Sequence, residues 1–302
     1  MVDILVVGGG PAGMTAALYG VRNGKSVLVL EKSGFGGQIT HSPKVENFPG
    51  TLSISGNELA EQMLDQILNQ GAEIELEEAV SLRDLGDHKE VVTAEGDTFE
   101  GKTVILATGV RHRLLGLPGE EDLIGEGISF CAVCDGDFYT DKTVCVVGGG
   151  NSALQEGVLL AGKCRQVTLL QDLPAFTGEE RLQEVLFSKP NVKALTGVKV
   201  VGLVQDSRGL TGVEIEREGT REIIPCDGLF VAVGLIPENN AFRDLADLDP
   251  QGYFATDEGC TTRTPGVFVA GDCRSKAIRQ VATAVSDGAV AALAACRFLD
   301  RA

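Results

Sequence analysis

The sequence predicts an α/β protein of two Rossmann-like (three-layer ββα) dinucleotide-binding domains, the second inserted in the first. Three observations predict this class. Short apolar strands run into glycine turns, a strand–glycine–helix unit occurs twice, and 302 residues suit two domains. The composition, 43% hydrophobic and 23% charged, is typical of a folded globular chain rather than a disordered one.

The charge balance limits the classes of partner. The net charge of −17 would repel nucleic-acid phosphates and anionic lipid, so we expect no nucleic-acid or membrane partner. No apolar run approaches the ~20 residues of a membrane span. The first strand enters a glycine turn directly, without the basic leader of a signal peptide, so we expect a cytoplasmic protein.

An internal repeat defines the organisation of the chain. Residues 6–13 (VVGGGPAG) align without a gap with residues 146–153 (VVGGGNSA). The match continues to the next strand, where residues 26–31 (SVLVLE) stand opposite residues 166–171 (QVTLLQ). Each copy therefore predicts the strand, glycine turn, helix and second strand that open a dinucleotide-binding domain.

The glycine spacing has a physical reason that both copies share. The first glycine allows a tight turn, the second lets the backbone approach a pyrophosphate, and the third position needs a small residue so that the helix can pack. The amides of the helix N-terminus then face the phosphates. The expected positions are Gly8, Gly10, Pro11, Ala12 and Gly13 in the first copy, and Gly148, Gly150, Asn151 and Ser152 in the second.

Glu31 ends the second strand of the first copy. A carboxylate at this place can accept hydrogen bonds from both hydroxyls of an adenosine ribose. The first unit is therefore expected to bind an adenine dinucleotide, and either FAD or NAD would satisfy the pattern.

The remaining patterns place the domain boundaries. Apolar runs at 103–109 and 228–234 end at glycine, a hairpin is expected within 90–99, and an amphipathic helix within 58–70. The stretch 198–225 has short strands and glycine turns. The segment after it ends in a strand and a long helix from about residue 277, too short for a domain of its own. We therefore expect domains at 1–113, 114–238 and 239–302, the last completing the first.

Two cysteines are spaced for redox chemistry. Cys131 and Cys134 can close a small disulfide ring, a spacing that lowers the pKa of one thiol. Half of a zinc site is the alternative, but it needs further ligands at metal spacing, and the three histidines are scattered, so no metal is expected. Asp135 could protonate a departing thiolate. A redox disulfide needs a two-electron carrier, which favours FAD in the first domain.

The motifs together resemble those of low-molecular-weight thioredoxin reductases over essentially the whole chain. They are residues 8–13, 35–38 (FGGQ), 45–50 (VENFPG), 107–109 (ATG), 117–120 (LPGE), 131–136 (CAVCDG), Gly271-Asp272 and Arg279-Gln280. The resemblance implies an FAD domain, an inserted nicotinamide-type domain that carries the disulfide, a mobile inserted domain and a homodimer.

The resemblance also implies roles for individual residues. Cys134 would face the flavin and form the charge-transfer thiolate, Cys131 would attack the disulfide of the partner protein, and Asp135 would donate the proton. Gln38, Asn47 and Asp272 would contact the flavin nucleotide, and Arg279 and Gln280 would lie beside the isoalloxazine. The other matching positions expected at the FAD are Gly37, Thr108, Gly109, Gly271 and Val281.

The chain departs from the family pattern at the nicotinamide site. NADPH-using members carry His-Arg-Arg-x-x-x-Arg where residues 171–177 read QDLPAFT, so each expected arginine is missing and Asp172 replaces one of them. Like charges ~4 Å apart at an effective dielectric of ~20 cost about 4 kcal/mol, which disfavours NADPH. Asp172 could hydrogen-bond a free 2′-hydroxyl, with Gln171 as a neutral partner, which favours NADH.

Three functions remain open from the sequence. The first is a reductase of thioredoxin or a thioredoxin-like protein that prefers NADH. The second is the same disulfide reductase supplied by ferredoxin or another donor that is not a nicotinamide. The third is a flavin-dependent dithiol oxidase that makes disulfides.

Overall fold

The computed structural model describes residues 1–42, 44–207 and 209–301. Arg208, within the expected 198–225 stretch, and Ala302 lie outside the described residues. The chain forms two compact units, Met1–Arg111 with Ile236–Ala302, and His112–Leu235. These divisions fall slightly before the expected boundaries at 113/114 and 238/239. We call them unit 1 and unit 2.

The strands and helices alternate along both units. In chain order the strands are β1 (Val2–Val7), β2 (Val27–Leu30), β3 (Glu73–Glu75), β4 (Ala79–Asp84), β5 (Lys89–Thr93), β6 (Thr98–Leu106), β7 (Arg111–His112), β8 (Ile128–Ser129), β9 (Thr143–Val147), β10 (Gln166–Gln171), β11 (Val192–Thr196), β12 (Lys199–Asp206), β13 (Gly209–Arg217), β14 (Thr220–Pro225), β15 (Gly228–Val231), β16 (Leu235–Ile236) and β17 (Val267–Val269). The α-helices are α1 (Pro11–Arg22), α2 (Gly56–Asn69), α3 (Ala132–Asp135), α4 (Asn151–Ala161), α5 (Glu180–Phe187) and α6 (Val281–Leu299).

Unit 1 is built on one twisted sheet. Strands β3, β2, β1 and β6 are adjacent and parallel, and β17 joins the second half of β6 in parallel. The first half of β6 pairs with β5 in the expected hairpin, and β4 follows. The last four residues of β1 and all of β2 are buried, and all of them are branched and apolar, as parallel strands covered on both faces require.

The helices of unit 1 begin where side chains satisfy their first amides. Helix α2 starts after Ser55, whose hydroxyl accepts from the Glu58 amide while the Glu58 carboxylate accepts from the Ser55 amide. Helix α6 starts after Gln280, which forms a similar reciprocal cap with Thr283. This cap explains why α6 begins after the residue 277 expected from the sequence.

Among the described residues, α6 is, by length and composition alone, long and apolar enough to cross a membrane, with a mean hydropathy of 1.4. Its small residues pack instead on α1: a Cβ added at Gly288 would overlap the Ala12 carbonyl oxygen. It also carries Asp287, which pairs with Arg274 at 2.8 Å. Ala291, Ala292 and Ala295 of α6 are fully buried in the core that β1 and α1 also form, so the helix packs within unit 1.

Unit 2 repeats the parallel arrangement. Strands β11, β10, β9, β15 and β8 lie side by side in parallel, and β12, β13 and β14 form a separate antiparallel sheet. The two chain segments that join the units pair as β7 and β16. Parallel sheets with helices, repeated in two units, confirm the predicted fold class.

Candidate active site

The glycine turn after β1 forms the first half of a nucleotide cradle. Gly8 has φ +110°, and a Cβ added there would overlap the carbonyl oxygen of Ala107. A Cβ added at Gly13 would overlap the Gly8 carbonyl oxygen, so α1 can approach the turn only with glycine at this place. A Cβ added at Gly10 would have no described atom within 4 Å, and no side chain caps α1. The first-turn amides therefore remain available to an anion, with Pro11 at the first helical position and Ala12 buried.

Glu31 lies buried directly after β2, at the edge where the sheet meets this turn. One of its carboxylate oxygens accepts from the Gly9 amide at 2.7 Å, and the other accepts from the amide and hydroxyl of Ser33 at 3.0 and 3.2 Å. The carboxylate thus fixes the shape of the glycine turn. Its contact with a ribose stays a prediction.

A second glycine segment packs against the first. The Gly36 amide donates to the Gly9 carbonyl at 2.9 Å, and a Cβ at Gly37 would lie 3.4 Å from Gly10 Cα. Gly37 has φ +56° and opens the 3₁₀ turn that contains Gln38. The structure therefore brings these four glycines and Gln38 to the same edge of unit 1.

The turn after β17 carries the acid predicted at this edge. Asp272 Oδ1 is buried without a hydrogen-bond partner among the described residues, and the Lys276 ammonium is 3.8 Å away. Burial raises the pKa of Asp272 to about 6. Gly271 has φ +84°, and its amide donates to Asp287 at 3.1 Å. The sequence reasoning missed Asp287, which also holds Arg274 and Lys276 at 2.8 Å.

The start of α6 brings further predicted residues to this edge. Asn47 donates to the Gln280 side chain at 3.2 Å, and Val281 is the first residue of the helix. The Arg279 guanidinium lies 4.2 Å from the centre of the Tyr253 ring and donates to the Asp272 carbonyl at 3.2 Å.

The turn after β6 closes the edge on another side. Thr108 donates to the Asn239 side chain at 2.8 Å, and Gly109 has φ +66°. Asn239 is buried and is a residue that the motifs did not point to. Its amide group donates to the carbonyls of Gly252 and Cys273, which ties the turn to the chain on both sides of β17.

These residues fit an adenine dinucleotide of the FAD type. The open space at Gly10 and the uncapped start of α1 suit a pyrophosphate, and the orphaned Asp272 oxygen suits a hydroxyl donor. The glycine segments 8–13 and 36–37, with Asp272, would hold the group. When bound, a flavin supplies a carrier for two electrons at a time.

The disulfide joins Cys131 and Cys134 in unit 2, with their Cα atoms 5.3 Å apart. Cys131 is the N-cap of the short helix α3, and its sulfur accepts from the Cys134 amide at 3.2 Å. Both cysteines are partly exposed, and Val133 between them is 54% exposed, so another protein can reach the pair. The other six cysteines are buried and free. No cluster of metal-ligating side chains occurs among the described residues.

Asp135 is buried at the end of α3. Its Oδ2 accepts from the Ser129 hydroxyl at 2.7 Å, and that hydroxyl accepts from the Cys131 amide at 3.1 Å. Burial raises the pKa of Asp135, and the Ser129 hydrogen bond only partly offsets it. A carboxyl with a raised pKa keeps its proton to higher pH than an ordinary aspartate, and it can give that proton to a leaving thiolate. The sequence pointed to Asp135 but not to Ser129, which belongs to β8.

The glycine turn of unit 2 mirrors that of unit 1. Gly148 has φ +131°, and a Cβ there would overlap the Ala232 carbonyl oxygen. Gly150 is extended and precedes α4, which no side chain caps among the described residues; Asn151 and Ser152 form its exposed first turn. The Gly149 carbonyl accepts from the amides of Thr177 and Gly178 at 2.8 and 2.9 Å. This contact corresponds to the Gly9–Gly36 bond of unit 1, so the repeat signal could have revealed both.

The end of β10 differs from its counterpart in unit 1. Gln171 is buried, its side chain fills the position next to Gly149, and it donates to the Ala175 carbonyl at 3.3 Å. Asp172 follows and is exposed. Asn151 and Glu179 hold the following loop, since the Glu179 amide donates to the Asn151 side chain at 2.7 Å. The surface beside the turn thus presents a carboxylate and no arginine between 171 and 179.

Paired dinucleotide cradles and a redox disulfide define a pyridine nucleotide-disulphide oxidoreductase, and residues 2–288 match the model of that family. The chain is 39% identical to the thioredoxin reductase of Listeria monocytogenes, over 99% of this chain and 94% of that protein. It is 38% identical to the thioredoxin reductase of Peptoclostridium acidaminophilum, over 99% and 97%. The crystal structure of thioredoxin reductase from Streptococcus pyogenes is similar with a TM-score of 0.94 and 37% identity, over 100% of this chain and 99% of that one.

The chain therefore belongs to the pyridine nucleotide-disulphide oxidoreductases, and within them to the low-molecular-weight thioredoxin reductases. It is a disulfide reductase flavoprotein, and the family uses FAD and a nicotinamide cofactor. The predicted family and enzyme class are confirmed.

Proposed function

We propose that this chain takes electrons from NADH in preference to NADPH and passes them through FAD and the Cys131–Cys134 disulfide to thioredoxin or a thioredoxin-like protein. The relatives named thioredoxin reductase support the partner class. The proposal includes the homodimer and the cytoplasmic location expected from the sequence.

The end of β10 is the observation that carries the nicotinamide preference. A 2′-phosphate would meet the exposed Asp172 carboxylate, with Gln171 turned inward and bonded to Ala175. A free 2′-hydroxyl can donate to the same carboxylate. Solvent screens an exposed charge, so the repulsion is nearer to its value in water than to the value in a protein interior.

The residues around the disulfide support the reductive chemistry. Reduction of the pair takes up two electrons and two protons and gives two thiols. Ser129 holds one oxygen of Asp135, and the Cys131 amide holds the Ser129 hydroxyl. This chain of hydrogen bonds links the Asp135 carboxyl to the backbone of Cys131, and the raised pKa of Asp135 keeps a proton available at higher pH than an ordinary aspartate would.

The donor preference is tested by anaerobic reduction of the holoenzyme with each nicotinamide. We expect NADH to reduce the flavin with a kcat/KM at least about tenfold above that of NADPH, because of the missing arginines and the Asp172 charge. Asp172→Asn should narrow this ratio by raising the NADPH rate. Glu222→Gln, which removes an exposed carboxylate from β14, should leave the ratio unchanged.

Other results of the donor test would contradict the NADH preference or support one of the two other functions that the sequence left open. Faster reduction by NADPH would contradict the NADH preference. A flavin that neither nicotinamide reduces, but reduced ferredoxin does, would establish the second function. Rapid peroxide formation from a dithiol in air without nicotinamide would establish the oxidase.

A further inference from the structure

Glu156 lies on α4, on the side of the helix that faces α3, the short helix that carries Cys134 and Asp135. Helix α3 packs against α4. Gly136, directly after Asp135, lies against Leu160: a Cβ added there would be 3.5 Å from Leu160 Cδ2. Glu156 precedes Leu160 by four residues, and residues at that spacing share a helix face. The α4 face that carries Glu156 is therefore the one turned to Asp135 and Gly136.

Both acids have an oxygen that is buried without a hydrogen-bond partner among the described residues, namely Asp135 Oδ1 and Glu156 Oε2. Neither acid takes part in the ion pairs of the described residues. The nearby ammonium of Lys163, whose side chain passes Gly136, is paired with Asp137. An unpaired carboxylate is costly to bury, so this arrangement favours a proton on each acid.

The charges that act on the two acids point the same way. Burial and, as the smaller cause, the charge of Asp135 raise the pKa of Glu156 to about 8. The pKa of Tyr139 is raised to about 12, mainly by burial and also by the charge of Asp135. Tyr139 is therefore neutral near pH 8. The thiol of Cys164 is likewise neutral, with a pKa of about 11 caused by burial. Glu156 is thus the group near Asp135 that changes charge near neutral pH.

We propose that Glu156 is the proton reserve of Asp135. This inference rests on the proposed disulfide reduction, and it makes Glu156 a positioning residue that acts through Asp135. When the Asp135 carboxyl gives its proton to a cysteine thiolate, a thiol and an Asp135 carboxylate result. The Glu156 carboxyl then returns a proton to Asp135, and solvent water later reprotonates Glu156. Neither proton transfer changes an oxidation state.

The test uses dithiothreitol and no nicotinamide, so it stands even if the NADH preference fails. Dithiothreitol reduces the Cys131–Cys134 disulfide of the holoenzyme and is itself oxidised to a cyclic disulfide. The rate at which two alkylatable thiols appear is measured against pH for the wild type and for Glu156→Gln, which keeps the shape of the side chain. The wild-type rate is divided by the Glu156→Gln rate at each pH. This ratio removes the pH dependence of dithiothreitol itself.

We expect a bell-shaped ratio. It should be near one in acid, where Asp135 is protonated from solvent, rise to about tenfold near neutral pH, and fall again once Glu156 itself ionises above its pKa. Glu184→Gln, an exposed acid on α5, should give a ratio of one at every pH. In an Asp135→Asn background the effect of Glu156→Gln should disappear.

Two results would overturn the proposal. A ratio that is the same at every pH would show that Glu156 only supports the fold. An effect that persists in Asp135→Asn would show that Glu156 does not act through Asp135.

Thermal unfolding separately checks that Glu156 has a raised pKa in the folded protein. Because the pKa of about 8 in the folded protein exceeds the ordinary glutamate pKa of 4.5, wild-type stability should fall as pH rises between these two values, and Glu156→Gln should lose this dependence.

Discussion

Cys134→Ser is expected to leave a flavin that can be reduced but cannot pass electrons to a protein disulfide. A serine oxygen cannot form the bond to Cys131, so the two-electron acceptor of unit 2 is lost. Turnover with a thioredoxin-type disulfide should fall by about 10³-fold or more, whereas the rate of flavin reduction should change little. Anaerobic stopped-flow absorbance and steady-state disulfide reduction measure the two steps separately.

The control changes a cysteine outside the pair. Cys164→Ala removes a buried thiol of the same unit and should keep both rates within a small factor, because Cys164 is free and takes no part in the disulfide. Full turnover in Cys134→Ser would contradict electron transfer through the Cys131–Cys134 disulfide. A flavin that is no longer reduced would instead show that the substitution has disturbed the first step.

The sequence predicted those parts of the site that local spacing determines. The turns after β1 and β9 need glycine because strand, turn and helix are consecutive, and the repeat at 6–13 and 146–153 exposes that need twice. Cys131 and Cys134 are likewise set by local spacing on one helical turn. Family resemblance extended this to Asp272 and Arg279, which spacing alone does not mark.

The remaining site residues come from elements that only the fold brings together. Ser129 reaches Asp135 from β8, and α4, the helix that carries Glu156, packs against α3. Asp287 reaches back from α6 to the Gly271 amide. Each is an ordinary polar residue in its own segment, so no periodicity distinguishes it. Glu31 shows the same limit, since its place at the end of β2 was predictable but its hydrogen bonds to Gly9 and Ser33 were not.

Gly13→Ala is expected to remove the flavin and to destabilise unit 1 by about 3 kcal/mol, the upper range for overpacking a tight contact. The added methyl group would overlap the Gly8 carbonyl oxygen. Gly8 cannot retreat, because its amide donates to the Leu30 carbonyl at 2.8 Å and its own Cα faces the Ala107 carbonyl. Helix α1 must therefore move, and it packs on both α2 and α6.

Gly10→Ala is the matched variant in the same turn. Gly10 has φ −77°, which alanine adopts freely, and its added methyl group would meet no described atom. The stability to urea should therefore stay near that of the wild type, while the affinity for FAD falls because the methyl group enters the space expected for the pyrophosphate. Flavin absorbance per chain and urea unfolding distinguish the two variants.

If Gly13→Ala retained flavin and wild-type stability, the contact between α1 and the turn would not be tight. If Gly10→Ala bound FAD normally, the phosphates would not approach the backbone there.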